Sequence, residues 1–264
     1  MKFYHIPIIV FFVVTLICGC QNSSQPQNEA ATFVLHDTLP TDTLSPCTDT
    51  TTISKAFLLG QFDPSVDTNY VIIPTSMCKY KGLYCHRIPF EAFLAMRDSA
   101  RKEGIRLIIT SAFRTFNDQK EIWNTKWKAA SYSHIKNPTT RDITKINAIM
   151  RYSSMPGTSR HHWGTELDFN SCKLSYWRSK EGQRAYQWLC DNAHKFGFYQ
   201  PYTADPNRTG YAEEKWHWSY KAMSDKYLDA YIKTITAEDI TGFRGSHLVD
   251  SLNIIQTYVL GVVR

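Results

Sequence analysis

Ser159-Arg160-His161-His162-Trp163-Gly164-Thr165-Glu166-Leu167-Asp168-Phe169-Asn170 is the stretch on which the fold turns. Thr165, Leu167 and Phe169 alternate with Glu166, Asp168 and Asn170, the period of a half-buried strand. Gly164 marks a turn ahead of it. A loop carrying His161 thus runs into a strand whose Asp168 points away from the apolar face. Six residues separate His161 from Asp168, enough for the turn to bring the imidazole alongside the carboxylate.

Downstream, Trp216-His217-Trp218-Ser219-Tyr220 reads as a second strand, aromatics on one face and His217 with Ser219 on the other. A helix over Glu181 to Phe196, stopped by Gly197, precedes a short strand at Phe198-Tyr199. Upstream, Phe90, Phe93, Leu94, Arg97 and Ala100 repeat at helical spacing, Gly104 ends that helix, and Ile105 to Thr110 reads as a strand. Capping residues at Thr115 to Asp118 open another helix that buries Ile122, Trp123 and Trp127, with Gln119 in its first turn. Residues 131–158 are less periodic, with turn signals at Asn137-Pro138 and Met155-Pro156-Gly157 around a helix at Asp142 to Tyr152, and read as a covering insertion. Two helices, Ser224 to Ile235 and Ser246 to Leu260, close the chain. Helices with a few short strands outside regular βαβ order predict an α+β fold, a single domain with a small antiparallel sheet flanked by helices.

The chain has 264 residues, 43% hydrophobic and 14% aromatic, ample for one packed core. Its net charge of +6 is spread through the sequence rather than gathered in runs, so nucleic-acid binding is not indicated. Lys2 precedes an apolar run from Ile6 to Cys18, too short to span a bilayer and suited to export. It ends in Leu16-Ile17-Cys18-Gly19-Cys20, which resembles the lipobox of bacterial lipoproteins. The expectation is a signal peptide over 1–19 and an acylated Cys20 that anchors the protein to a membrane without spanning it. A tether over 20–54, rich in Thr, Ser, Asn, Gln and Pro, then leads to a folded domain over 55–264. Cys47, Cys78, Cys85, Cys172 and Cys190 are odd in number, so at least one is free. A loop closed by Cys78 and Cys85 is open as a pairing, and none of these sulfurs has zinc-site spacing.

His161, Asp168 and His217 match the count of a catalytic zinc site, where three protein groups hold the metal and the fourth position is left to water. Each alone has a plainer reading: a hydrogen-bonded structural histidine, or an aspartate capping a strand end. Glu214 is placed to take a proton from water and pass it to a leaving amine, provided the chain bends at Glu213-Glu214 to bring it to the side of His217. Zinc lowers the pKa of water from roughly 15.7 toward about 7. Arg114, just past the strand at Ile105 to Thr110, is either a surface ion-pair residue or the donor that holds the scissile carbonyl.

Ser111-Ala112-Phe113-Arg114 with Gln119, Ser159-x-His161-x-x-Gly164-x-x-x-Asp168, and Glu214-x-Trp216-His217-Trp218 together resemble the signature of VanY-type zinc D-alanyl-D-alanine carboxypeptidases, over roughly Lys55 to the C-terminus. The resemblance implies one zinc ion per chain on His161, Asp168 and His217, Glu214 as catalytic base, Arg114 polarising the carbonyl, and Gln119, Ser159 and Trp216 close to substrate. It implies removal of the C-terminal D-alanine from peptidoglycan stem peptides in the bacterial cell envelope, by a lipid-anchored enzyme facing the periplasm or exterior, with no obligate protein partner. Two positions depart from the pattern: Glu166 stands where a small residue is common, and His162 adds an imidazole beside the expected ligand. An endopeptidase, a D-Ala-D-Ala dipeptidase and a non-catalytic zinc-containing wall-binding lipoprotein are the competing readings; a general base at Glu214 argues against the last.

Overall fold

The computed structural model describes residues 53–264. The expected leader over 1–19, the Cys20 anchor, Cys47 and all of the 20–54 tether except Ile53 and Ser54 lie outside the described residues. Ile53 packs on an apolar core, and Ser54 caps α1 (Lys55–Leu58), its hydroxyl accepting from the Phe57 amide at 3.2 Å. No helix among the described residues is long and apolar enough to cross a membrane.

The fold is α+β. A two-stranded ribbon pairs β1 (Tyr70–Ile72) with β2 (Tyr84–His86). The main sheet is antiparallel, its order β3 (Ile109–Ser111), β4 (Glu166–Phe169), β6 (His217–Tyr220), β5 (Phe198–Tyr199). In the β4 and β6 ladder Glu166 faces Ser219, Leu167 faces Trp218 and Asp168 faces His217. The two-residue period of strands therefore sorts this pair into an apolar face (Leu167, Phe169, Trp218) and a face carrying Glu166, Asp168, His217 and Ser219.

The apolar face packs on α2 (Arg87–Lys102), through Phe93, Met96 and Ala100, and on α6 (Lys180–Asn192), which follows the short α5 (Leu174–Arg178). A second core gathers α1, α3 (Phe116–Ala129), α4 (Pro138–Ile149) and α7 (Lys221–Thr234) around Trp123, Trp127, Trp163 and Tyr231. The Thr115 and Asp118 side chains form the capping box that starts α3.

Several expectations shift. The strand expected over Ile105 to Thr110 joins the ladder only from Ile109, because the Ile108 amide is taken by the Asn170 side chain at 2.9 Å. The helix expected at Asp142 to Tyr152 begins at Pro138, where the Asn137 side chain caps it, and ends at Ile149. The helix expected over Ser246 to Leu260 is instead a 3-10 turn at Ser246–Leu248 and a π-helical turn at Ile255–Val259, interrupted by Asn253 at φ +48°. Strand β4 is buried on both faces rather than half-buried. Cys78 and Cys85 are free thiols: Cys85 donates to the Gly164 carbonyl and Cys78 to Tyr80.

Candidate metal centre and active site

Three chain segments are laced together to build the site. Past β3, the Arg114 amide donates to the His161 carbonyl at 3.1 Å, and the Phe113 amide donates to Tyr84. His161 and His162 lie in a 3-10 turn, Arg160–Trp163, that closes at Gly164 in the left-handed region (φ +71°). A Cβ at Gly164 would sit 2.5 Å from the Tyr70 ring, so a glycine is needed for both reasons. The main chain then enters β4 and delivers Asp168 opposite His217.

The donor atoms of His161, Asp168 and His217 all lie within 4.8 Å of one another, and all three residues are buried. His161 Nδ1 is 2.6 Å from the Ala112 carbonyl, which only accepts, so this nitrogen carries the proton and Nε2 faces Asp168 Oδ2 at 3.4 Å. His217 is turned the other way: Nε2 lies 2.9 Å from Glu166 Oε2, and Nδ1 faces Asp168 Oδ1 at 3.1 Å. Two imidazole nitrogens and a carboxylate thus converge, each ring fixed from behind by a protein acceptor. This donor set fits zinc.

Glu214 reaches the same cleft because Glu214 to His217 is a tight turn, the His217 amide bonding to the Glu214 carbonyl at 3.2 Å. Its Oε2 lies 3.9 Å from His217 Nδ1. Burial pushes the Glu214 carboxyl up to about 7, with His217 opposing and Asp168 adding to the rise. Burial and the Arg114 charge hold His161 down at about 4. For His217 burial works downward, but hydrogen bonds to Asp168 and Glu166 outweigh it and carry the ring up to about 9. Arg114 lines the cleft, is in none of the ion pairs among the described residues, and keeps Nε without a partner.

A sequence model of the VanY family, described as D-alanyl-D-alanine carboxypeptidase, matches residues 83–223, the span that holds Arg114, His161, Asp168, Glu214 and His217. The chain belongs to the VanY family. It is 31% identical over 127 residues to the D-alanyl-D-alanine carboxypeptidase of Enterococcus faecalis, covering 47% of this chain and 43% of that protein. The aligned regions span 43% and 58% of two curated relatives, about half their length. Among solved structures, VanYB in complex with D-alanine-D-alanine is 26% identical with a TM-score of 0.48, over 64% of this chain and 91% of that one. A mutant of the vancomycin resistance D,D-pentapeptidase VanY in complex with Zn(II) is 25% identical with a TM-score of 0.45, over 59% and 88%.

Of the residues the VanY resemblance singles out beyond these, Ser159 and Trp216 line the cleft. Gln119 does not. It is wholly buried outside the cleft lining, its Nε2 donating to the Ser154 carbonyl of the cleft wall at 2.7 Å and its Oε1 without a partner among the described residues. His162 is no part of the donor cluster: Nε2 accepts from the Gly157 amide at 3.0 Å, which leaves Nδ1 to donate to the Arg114 carbonyl at 2.7 Å. Sequence reading missed Lys126, Tyr152, Ser154 and Tyr202 as cleft residues. Tyr202 packs its ring 4.7 Å from that of His217. The expected covering insertion contains Tyr152 to Ser154, and that was the available signal for this wall.

Proposed function

We propose that this VanY-family chain is a zinc-dependent D-alanyl-D-alanine carboxypeptidase that removes the C-terminal D-alanine from peptidoglycan stem peptides. The observation that carries the reading is the meeting of Glu214, Arg114 and the His161, Asp168 and His217 donors in one cleft. Bound by those three side chains, zinc supplies Lewis acidity, which makes water a competent nucleophile near neutral pH and polarises the scissile carbonyl. Glu214, whose carboxylate lies 3.9 Å from His217 Nδ1, takes the proton from the attacking water and returns it to the departing amine of D-alanine. Arg114 brings its guanidinium to the carbonyl oxygen and to the negative charge that grows there. Ser159, buried in the cleft wall with an unpartnered Oγ among the described residues, offers a hydrogen bond to the terminal carboxylate, which favours cleavage at the chain end.

The sequence of the leader supports placement of this chemistry outside the cytoplasm, with acylated Cys20 as the membrane attachment. The test is D-alanine release from a purified pentapeptide stem by the full-length chain, with zinc or with chelator, beside Glu214→Ala. Zinc-dependent release that the variant loses supports the reading; intact pentapeptide from a zinc-loaded protein refutes it, and internal cleavage products point to an endopeptidase.

A further inference from the structure

Glu166 is fully buried on the same strand as Asp168, two residues away, and the mechanism above gives it no task. One oxygen, Oε2, is given over to His217 Nε2 at 2.9 Å. The other, Oε1, accepts from Ser219 Oγ at 2.7 Å and Thr165 Oγ1 at 3.0 Å and lies 3.3 Å from Arg160 Nη2. Arg160 is itself buried and anchored, with Nη2 donating to Ser219 Oγ at 2.7 Å and Tyr199 OH at 3.0 Å, and its guanidinium lies 5.0 Å from the Trp163 ring centre. Three groups therefore pin one oxygen, which leaves the carboxylate no freedom to turn away from His217.

A buried ion pair of this kind is poor evidence of stabilisation, since well-packed apolar residues in its place are often as good or better. A carboxylate on the outer nitrogen of a metal-binding imidazole has a specific effect: it fixes the tautomer, aims the ring and raises its basicity. His161 receives only the neutral Ala112 carbonyl in the equivalent place. The anionic support is reserved for His217, and it comes from the position where the VanY-like pattern usually has a small residue.

We propose that Glu166 is a positioning residue, held by Arg160 and Ser219, that commits His217 to bind zinc through Nδ1. The inference rests on the zinc reading of the site. Its test is zinc affinity of the full-length chain, measured by competition with a chromophoric chelator, for wild type, Glu166→Gln and Ser219→Ala. The absorption spectrum of the cobalt(II)-loaded protein is recorded beside each. Glu166→Gln is expected to weaken zinc binding about 10- to 100-fold and to change the cobalt spectrum; Ser219→Ala, which loosens Glu166 without removing it, is expected to weaken binding about three- to tenfold and to shift the spectrum in the same sense. A purely structural Glu166 would lower the melting point of the metal-free protein and leave both readouts alone. Affinity within about twofold of wild type and an unchanged spectrum in a folded Glu166→Gln overturn the inference. Should that variant fail to fold, the same null result in Ser219→Ala overturns it. A wild-type chain that binds no zinc fails the underlying reading instead, so the two failures are told apart.

Discussion

The Arg114 main chain is clamped to both histidines of the 3-10 turn: its amide donates to the His161 carbonyl at 3.1 Å, and its carbonyl accepts from His162 Nδ1 at 2.7 Å. The candidate carbonyl donor and the candidate metal ligand are thereby held in one rigid frame, with His162 as the latch. Burial holds His162 down at about 3, so the ring stays neutral, as two opposed hydrogen bonds require. His162→Ala is expected to cost about 2–4 kcal/mol in urea unfolding, from the cavity and the two lost hydrogen bonds. Metal analysis of the same variant is expected to give an undiminished zinc stoichiometry; a loss of zinc from folded protein would make His162 a ligand.

Gly60 lies against that latch at φ +70°, and a Cβ there would come within 2.4 Å of His162 Nδ1. Gly60→Ala is expected to lower the thermal midpoint through both strain and displacement of the imidazole. A midpoint equal to wild type would show that the His162 ring can move without cost.

Glu214 binds a proton more tightly in the folded chain, at about 7, than at its ordinary value of 4.5. Between those values the native state holds more protons than the unfolded one, so stability falls as pH rises through the window. The penalty is fully present above about 7. In chelator, Glu214→Gln is expected to be more stable than wild type at pH 8 by up to about 3 kcal/mol, with the gain vanishing below the ordinary carboxylate range. Urea titrations at pH 4 and pH 8 measure it, and a destabilised variant at pH 8 would contradict it. The same substitution is expected to abolish peptidase activity.

Arg114→Lys keeps the charge but loses the planar fork of donors. It is expected to lower kcat by about 10²-fold with little change in KM, as removal of an oxyanion donor does. A comparable rise in KM with kcat preserved would make Arg114 a ground-state binder instead.

Chelation is expected to remove activity and to lower the melting point, with both restored by zinc. At a free zinc concentration a thousandfold above the dissociation constant, the stabilisation amounts to about 4 kcal/mol. A melting point indifferent to zinc would argue against binding at these three side chains.

The site was legible to the degree that its parts lie in short contiguous runs. Alternation from Thr165 to Phe169 placed Glu166 and Asp168 on one face, and the structure has them so. The turn needed to bring Glu214 beside His217 is present, closed by the His217 amide on the Glu214 carbonyl. What escaped reading depends on how side chains of several segments meet in space. Nothing local in Glu166 tells that Arg160, Ser219 and Tyr199 would bury the polar face of β4, so that strand was expected to be half exposed. The wall from Tyr152 to Ser154 comes from a stretch without periodicity. Near the C-terminus the apolar spacing of Leu248, Leu252, Ile255 and Val259 suits a helix, and only the left-handed backbone at Asn253 breaks it.

The direct pairing of Asp168 with His217 across the β4 and β6 ladder ties the site to the reading frame of the two strands. Inserting one residue between Glu166 and Asp168, or between His217 and Ser219, would shift the two-residue alternation and put the members of that pair on opposite faces of the sheet, and deleting Leu167 or Trp218 would do the same. Length changes among descendants of this sequence are therefore expected to gather in the connecting segments, while these two strands change only by substitution.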